Sequence, residues 1–342
     1  MYAFENKTEK LLTEHKIAGS TVFVTDFEKV IYSKAYGTLS TKTGKFTEVT
    51  SLYRVASITK IVTGVLAMRA KEAGMLDLDR PVKQYLPWLE LRDKEAAAVI
   101  TPRMLLSHTS GLPGEYTPDG PRDEAMLIPS LKSGLPELDL VSMPGEGKYL
   151  YSNWGIRLLS AVLESVLGDR YSALAARYVL NPCGMTDSSF FREKLPECSL
   201  SMPHTRDENG DPIAEGDIKE NYVRLATGGL YSSAPDLAKL ARMMMRKGIA
   251  DSGERILNEE SVSEMESAHA TLKSGDTYGL TLQLHNLPSA RQCIGHYGNA
   301  DPYSSAMFWT SDRRYCAIVL LNTMKEGIRR EICDMMLDEI WH

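Results

Sequence analysis

The sequence predicts an α+β fold: an α/β sandwich whose antiparallel sheet is assembled from both ends of the chain, with a mainly helical region inserted between them. Two observations carry this. β-rich runs bounded by turn residues occur near the N-terminus and again in the last quarter of the chain. Between them, apolar residues recur at helical spacing, interrupted by many Pro and Gly breaks. With 342 residues and 43% hydrophobic content, the chain can bury a large core. It reads as one domain over residues 1–342, with 1–56 and 223–342 as its sheet-containing part and 57–222 as its mainly helical part.

Taken in order, residues 5–17 read as a helix. Ser20 to Asp26 and Val30 to Tyr36 follow as a strand pair, joined by a connection short enough for a hairpin. Helical patterns then cover 57–73, 122–132, 153–167 and 170–180, and another helix runs from Ala234 to Arg246 after Gly228-Gly229. Strands return at Thr277 to Leu284, Ser304 to Thr310 and Tyr315 to Leu321. An amphipathic helix from Glu326 to Trp341 closes the chain. The cleft between sheet and helical region is where a small-molecule site is expected.

Composition narrows the function. The formal net charge is -6, with charges well mixed and no basic stripe, so nucleic acid is not an expected partner. No run of about 18 or more apolar residues exists, so no membrane span is expected. The stretch Met1 to Lys7 is polar and lacks the apolar core of a secretory signal, which points to a cytoplasmic location. Five cysteines without a C-x-x-C spacing argue against a disulfide framework or a structural zinc, and seven histidines include no H-E-x-x-H. No metal or other cofactor is expected.

Ser57-Ile58-Thr59-Lys60 is the most informative tetrad. It opens an apolar helical run, so Ser57 and Lys60 share one face a turn apart, at a helix end that favours an oxyanion and disfavours a protonated amine. A serine hydroxyl is a weak nucleophile until a base such as a neutral amine takes its proton. The plain alternative is an N-cap serine with an exposed lysine. Two further segments fit the reactive reading. Tyr151 and Asn153 stand at the start of a helix; a phenol relays protons and an asparagine holds an amide, although a buried tyrosine and a capping asparagine are equally ordinary there. Gly295-His296-Tyr297-Gly298-Asn299 places glycines where a backbone must approach a ligand closely, or merely shapes a hairpin.

In this order, the motifs Ser57/Lys60, Tyr151/Asn153 and His296/Gly298 resemble those of the penicillin-recognising serine hydrolases. That family comprises class C β-lactamases, D-alanyl-D-alanine carboxypeptidases and related esterases of the peptidase S12 type. Val99 to Pro113, Ala226 to Ser233 and Gly74 to Asp79 look familial too, and the likeness spans about residues 15 to 325. The resemblance implies a β-lactamase/transpeptidase-like fold and an acyl-enzyme on Ser57. It gives Lys60 and Tyr151 the proton traffic and Asn153 the acyl-side amide. The backbone N–H groups of Ser57 and of Asn299, which follows His296 and Gly298, would form the oxyanion hole. Which of Lys60 and Tyr151 is the base stays open at this point. Lys42-Thr43-Gly44 is a literal K-T-G, but it precedes Ser57 in a polar turn and reads as a decoy. His108 reads as structural.

The departures from the family pattern shape the substrate expectation. His296 stands where a lysine is usual, which removes a fixed positive charge and shifts the expectation towards small esters, neutral amides and D-amino acid or peptide-like derivatives. Asn299 to Pro302 replaces a glycine-rich continuation, and Asp301 is placed to attract a cationic group. A β-lactamase, a D-aminopeptidase or DD-peptidase, an acyltransferase and a catalytically inactive ligand-binding relative are the alternatives.

Overall fold

The structure, a computed structural model, describes residues 3–114, 119–215 and 219–341. Met1 and Tyr2, the first residues of the polar N-terminal stretch, lie outside the described residues. Eight strands form one antiparallel sheet: β1 (Gly19–Asp26), β2 (Val30–Gly37), β3 (Ala270–Thr271), β4 (Thr277–Tyr278), β5 (Gln283–Asn286), β6 (Gln292–Ala300), β7 (Tyr303–Thr310) and β8 (Tyr315–Leu321). Their spatial order is β2-β1-β8-β7-β6-β5-β4-β3. The two ends of the chain meet inside the sheet, where β1 lies against β8 from Ser20↔Leu321 to Asp26↔Tyr315.

These central strands are buried almost throughout because both sheet faces are covered. Successive side chains point to opposite faces. Val22, Val24, Phe308 and Val319 therefore pack with Phe4, Leu12, Ile332 and Met336 of α1 (Ala3–Glu14) and α5 (Glu326–Ile340). Phe23, Met307, Trp309 and Ile318 face the other way, into the larger core with α2 (Thr59–Glu72), α3 (Asn153–Leu167) and α4 (Ala234–Met245). Helix α2 is enclosed on every side from Thr59 to Met68, with Ile61, Val62, Val65, Leu66 and Met68 all at 0% exposure. The caps match the sequence signals. Ser152 accepts the Gly155 N–H of α3 at 3.0 Å, and Gly168 ends that helix with φ +74°.

Three departures from the sequence expectation have physical causes. Residues 57 and 58 belong to a tight 3₁₀ turn, Ala56–Ile58, and the α-helix proper begins at Thr59. The expected strand 277–284 is broken. Its middle leaves the sheet because Leu280 N–H bonds Met265 O (2.9 Å), Thr281 N–H bonds Leu106 O (2.9 Å), and Thr281 adopts φ +61°. The longest strand, β6, was expected only as a glycine-flanked segment ahead of the strand at Ser304, since Gly295 and Gly298 weaken its strand pattern.

The excursion at Thr281 also explains a glycine inside a helix. A Cβ on Gly64 would lie 2.1 Å from Thr281 Oγ1 and 2.9 Å from Met265 Cε. Gly64→Ala gains about 0.8–1 kcal/mol of helix propensity but forces overpacking that typically costs about 1–3 kcal/mol. The expected outcome is a lower urea midpoint. A higher midpoint contradicts the packing described.

Candidate active site

The 3₁₀ turn before α2 presents Ser57 half-buried at the mouth of a cleft of about 630 Å³. Ala56, immediately before it, has φ +51° and is buried. A non-glycine residue in that region costs about 1 kcal/mol, so the surroundings hold the turn in place. Strand β6 supplies one restraint. A Cβ on Gly298 would lie 2.4 Å from Val55 O and 3.1 Å from Ala56 Cβ, so only glycine lets β6 pass this close to the turn. Strand β7 supplies another, as Ser305 Oγ donates to Val55 O at 2.8 Å.

Lys60 is fully buried in the next turn. Its Nζ lies 3.0 Å from Ser57 Oγ and donates to Thr227 O at 2.6 Å. Neither partner is a carboxylate. Burial pushes this amine well below the usual lysine range, and the positive charge of Arg224 pushes the same way. Tyr151, in the turn before α3, donates its O–H to Ser57 Oγ at 2.8 Å. Burial raises this phenol far above its ordinary value, against the opposing effects of the Ser57 hydrogen bond and of Arg224 and Arg329. One hydroxyl thus meets both an amine shifted towards its neutral form and a protonated phenol.

The turn carrying Tyr151 is fixed from behind. The Ser152 N–H donates to His108 Nδ1 (3.1 Å), Ser152 Oγ donates to Pro113 O (2.7 Å), and Leu150 N–H donates to His108 O (2.8 Å). The His108 ring packs on Tyr151 at 4.4 Å and on Tyr278 at 5.0 Å between centroids. Burial holds the His108 imidazole well below its ordinary pKa, so it is neutral with its proton on Nε2.

On β6, His296 is also buried and neutral. Burial above all pushes its pKa down to about 3. Tyr278 donates its O–H to Nε2 at 3.0 Å, and Nδ1–H donates to Tyr297 O. Both ring nitrogens are therefore used within the protein. Beyond it, Ala300 and Tyr303 flank a two-residue connection and so form a hydrogen-bonded pair. Alternation makes Asn299↔Ser304 a non-hydrogen-bonded pair, whose N–H and C=O groups point away from β7. On that side β5 pairs with β6 only from Gln292 to Gly295. The Asn299 N–H therefore faces an open strand edge at the cleft.

A family profile described as Beta-lactamase matches residues 4–335. The chain belongs to the Beta-lactamase family. Among its relatives, Penicillin-binding protein 4 of Amycolatopsis lactamdurans is 27% identical over 266 residues, covering 77% of this chain and 68% of that protein. Of the solved structures, the octameric penicillin-binding protein homologue from Pyrococcus abyssi superposes with TM-score 0.85 at 24% identity, over 99% of this chain and 76% of the other. The D-amino acid amidase from Ochrobactrum anthropi SV3, complexed with D-phenylalanine, gives 0.80 at 20% identity and 99% coverage of each chain. At these identities the two structures establish the β-lactamase-like fold.

Within this Beta-lactamase-family cleft the structure brings together Ser57, Tyr151, Asn153, His296 and Asn299, which all line it, with Lys60 directly beneath Ser57. Gly298 is the point of close approach rather than a lining residue. Asn153 is the first residue of α3, and Ser152 takes the capping role. The Asn299 side chain turns from the cleft towards α5, where it donates to Glu326 at 2.5 Å. Lys42-Thr43-Gly44 lies in an exposed turn. Sequence reasoning missed Thr227, whose carbonyl holds Lys60, and the cations Arg54, Lys219, Arg224 and Arg329 that line the cleft beside Glu215 and Asp301. Thr227 fell inside a stretch marked as familial; the cations carried no local signal. No helix among the described residues is long and apolar enough to cross a membrane.

His108, at φ +58°, provides a test of the turn geometry. Asparagine tolerates that backbone and offers an acceptor like Nδ1, whereas leucine does neither. His108→Leu leaves the buried Ser152 N–H unpaired, a loss of about 1–3 kcal/mol, while His108→Asn is expected to lose less. Thermal unfolding of both variants decides. Equal losses contradict the clamp.

Proposed function

We propose that this protein is a serine hydrolase that forms an acyl-enzyme at Ser57 and cleaves a small ester or amide, D-amino acid and peptide-like derivatives included. The observation that carries the reading is the buried Lys60 amine beside Ser57 Oγ, with no carboxylate among its described hydrogen-bond partners. In the first step the Ser57 O–H proton passes to the lone pair of neutral Lys60 while Oγ attacks the substrate carbonyl. The oxyanion that forms is met by the backbone N–H groups of Ser57 and Asn299. As the bond to the leaving group breaks, the Tyr151 phenol gives it a proton and recovers one from Lys60. Water then attacks the acyl group by the same route reversed and regenerates Ser57. Asn153, at the cleft wall, contacts the acyl-side amide.

This assigns Lys60 as base and Tyr151 as relay, because burial moves the amine down towards neutrality and the phenol up and away from it. A second reading, a substrate bearing a carboxylate, draws on the excess of cations among the cleft residues, which compensates for the neutral His296.

Intact-protein mass after brief exposure to a short activated ester and, separately, to a penicillin tests the proposal. One acyl group is expected on the native chain with at least one donor, and none on Ser57→Ala. The same adduct on Ser57→Ala overturns it. Tyr151→Phe removes the proton relay and is expected to lower turnover by about 10²–10⁴-fold, measured with an ester whose leaving group needs protonation.

Lys60→Met separates function from stability. The amine is lowered in the folded state, so the unfolded chain binds more protons near neutral pH. Lys60 therefore costs stability there, and the cost disappears only as pH rises through the ordinary lysine value of about 10.4. The variant is expected to lose acylation yet gain about 0.5–2 kcal/mol at pH 7, read by denaturant unfolding. Destabilisation with activity retained contradicts both roles.

A further inference from the structure

Arg329 stands in the first turn of α5, 5% exposed, where the helix crosses the end of β6. Its Nη1 donates to Gly298 O at 3.0 Å, to Ser304 Oγ at 2.8 Å and to Asn299 Oδ1. Its guanidinium also lies over the Tyr297 ring, 5.0 Å from the centroid. None of these partners is a carboxylate, and Glu326 of the same turn spends its hydrogen bond on Asn299 Nδ2 instead. The Glu326 charge offsets part of the cost from across the Asn299 amide, but burying a cation with no carboxylate in direct contact is still unfavourable, and a neutral donor would tie α5 to β6 just as well. The charge therefore calls for a use.

The carbonyl that Arg329 holds names that use. Gly298 C=O belongs to the peptide unit whose N–H is that of Asn299. In a planar trans peptide these two groups point in opposite directions. The strand register already directs the Asn299 N–H to the open edge of β6 at the cleft, so the carbonyl faces away from it, towards β7 and Arg329. A cation bonded to the oxygen draws electron density through the amide and makes its N–H a stronger donor, as in any cooperative hydrogen-bond chain. It also fixes the plane of the peptide, and oxyanion stabilisation depends on donors that are in place before charge develops.

We propose that Arg329 is a positioning residue of the oxyanion hole: its guanidinium orients and polarises the Gly298–Asn299 peptide so that the Asn299 N–H meets the tetrahedral oxyanion as a strengthened, pre-aimed donor. The inference rests on the acyl-enzyme reading above. Arg329 touches no reacting atom in this account. It acts through the peptide, and its effect belongs to the transition state rather than to substrate binding.

The test compares Arg329→Gln with the native chain, using p-nitrophenyl butyrate for turnover and phenylboronic acid as a tetrahedral mimic that bonds Ser57 Oγ. Glutamine can donate to Gly298 O without a charge. Since losing a whole oxyanion donor costs about 10²–10³-fold, weakening one is expected to lower kcat by about 10- to 100-fold. Boronate affinity should fall by a similar factor, with KM nearly unchanged and the folded fraction intact. If Arg329→Gln does not fold, Arg329→Lys keeps the charge and loses the fork, and the same parallel between kcat and boronate affinity is expected at smaller amplitude. Turnover lost only in proportion to folded protein, or a raised KM with unchanged boronate affinity, overturns the proposal. So does unaltered turnover in a native chain that acylates at Ser57. A native chain with no Ser57 adduct overturns this proposal together with the reading beneath it.

Discussion

Removing one lysine amine from water, with no carboxylate among its described hydrogen-bond partners, is the constraint on which this structure turns. Lys60 has no exposure, and among the described residues its Nζ meets a backbone carbonyl, Thr227 O, the Ser57 hydroxyl, and the Tyr151 ring at 4.9 Å from the centroid. An ammonium in that position would carry an unbalanced charge, so the environment selects the neutral amine. The selection depends on pieces from distant parts of the chain. Helix α2, which carries Lys60, is buried from Thr59 to Met68, the Ala226–Gly229 segment supplies the carbonyl, and β6 passes close at Gly298. A fold that buries α2 less completely would return Lys60 to water and its ordinary charge.

The neighbours follow the same rule. His108 and His296 are both buried and neutral, Tyr151 and Tyr278 stay protonated, and each makes hydrogen bonds that suit its uncharged form. Positive charge reaches the cleft from farther off, through Arg224 and Arg329. Ser57 thus sits among groups able to pass a proton without holding net charge, with cations at one remove that would favour the anion of the proposed acylation. The β-lactamase fold builds this arrangement across the seam between sheet and helical region. Each motif is rigid because it is anchored in one layer and reaches towards the other.

Much of this was legible in the sequence, for reasons that can be named. Apolar, β-branched runs such as Val22-Phe23-Val24 and Ile318-Val319-Leu320 read as strands, whereas the cap of α3 proves to be Ser152 rather than the asparagine after it. Ser57, Lys60 and Tyr151 stood out because residue type and short motif spacing are visible in a sequence, and the fold brings the three side chains together. What escaped depends on contacts distant in sequence. The break at Thr281 is made by carbonyls from residues 106 and 265. β6 hides its strand character because Gly298 must clear Ala56. His296 reads as a ligand contact until Tyr278 and the Tyr297 carbonyl are seen to occupy both its nitrogens. Arg329 is one more polar residue of an amphipathic helix until the fold lays it against Gly298 O.

The central claim, that Lys60 rests as a neutral amine beside Ser57, is tested most directly by the pH dependence of single-turnover acylation with an activated ester. The account predicts a rate that falls on acidification, as Lys60 gains a proton, and is level above a midpoint well below the ordinary lysine value of about 10.4. A rate that keeps rising tenfold per pH unit up to that ordinary value would mean that Lys60 rests protonated, and would contradict the account.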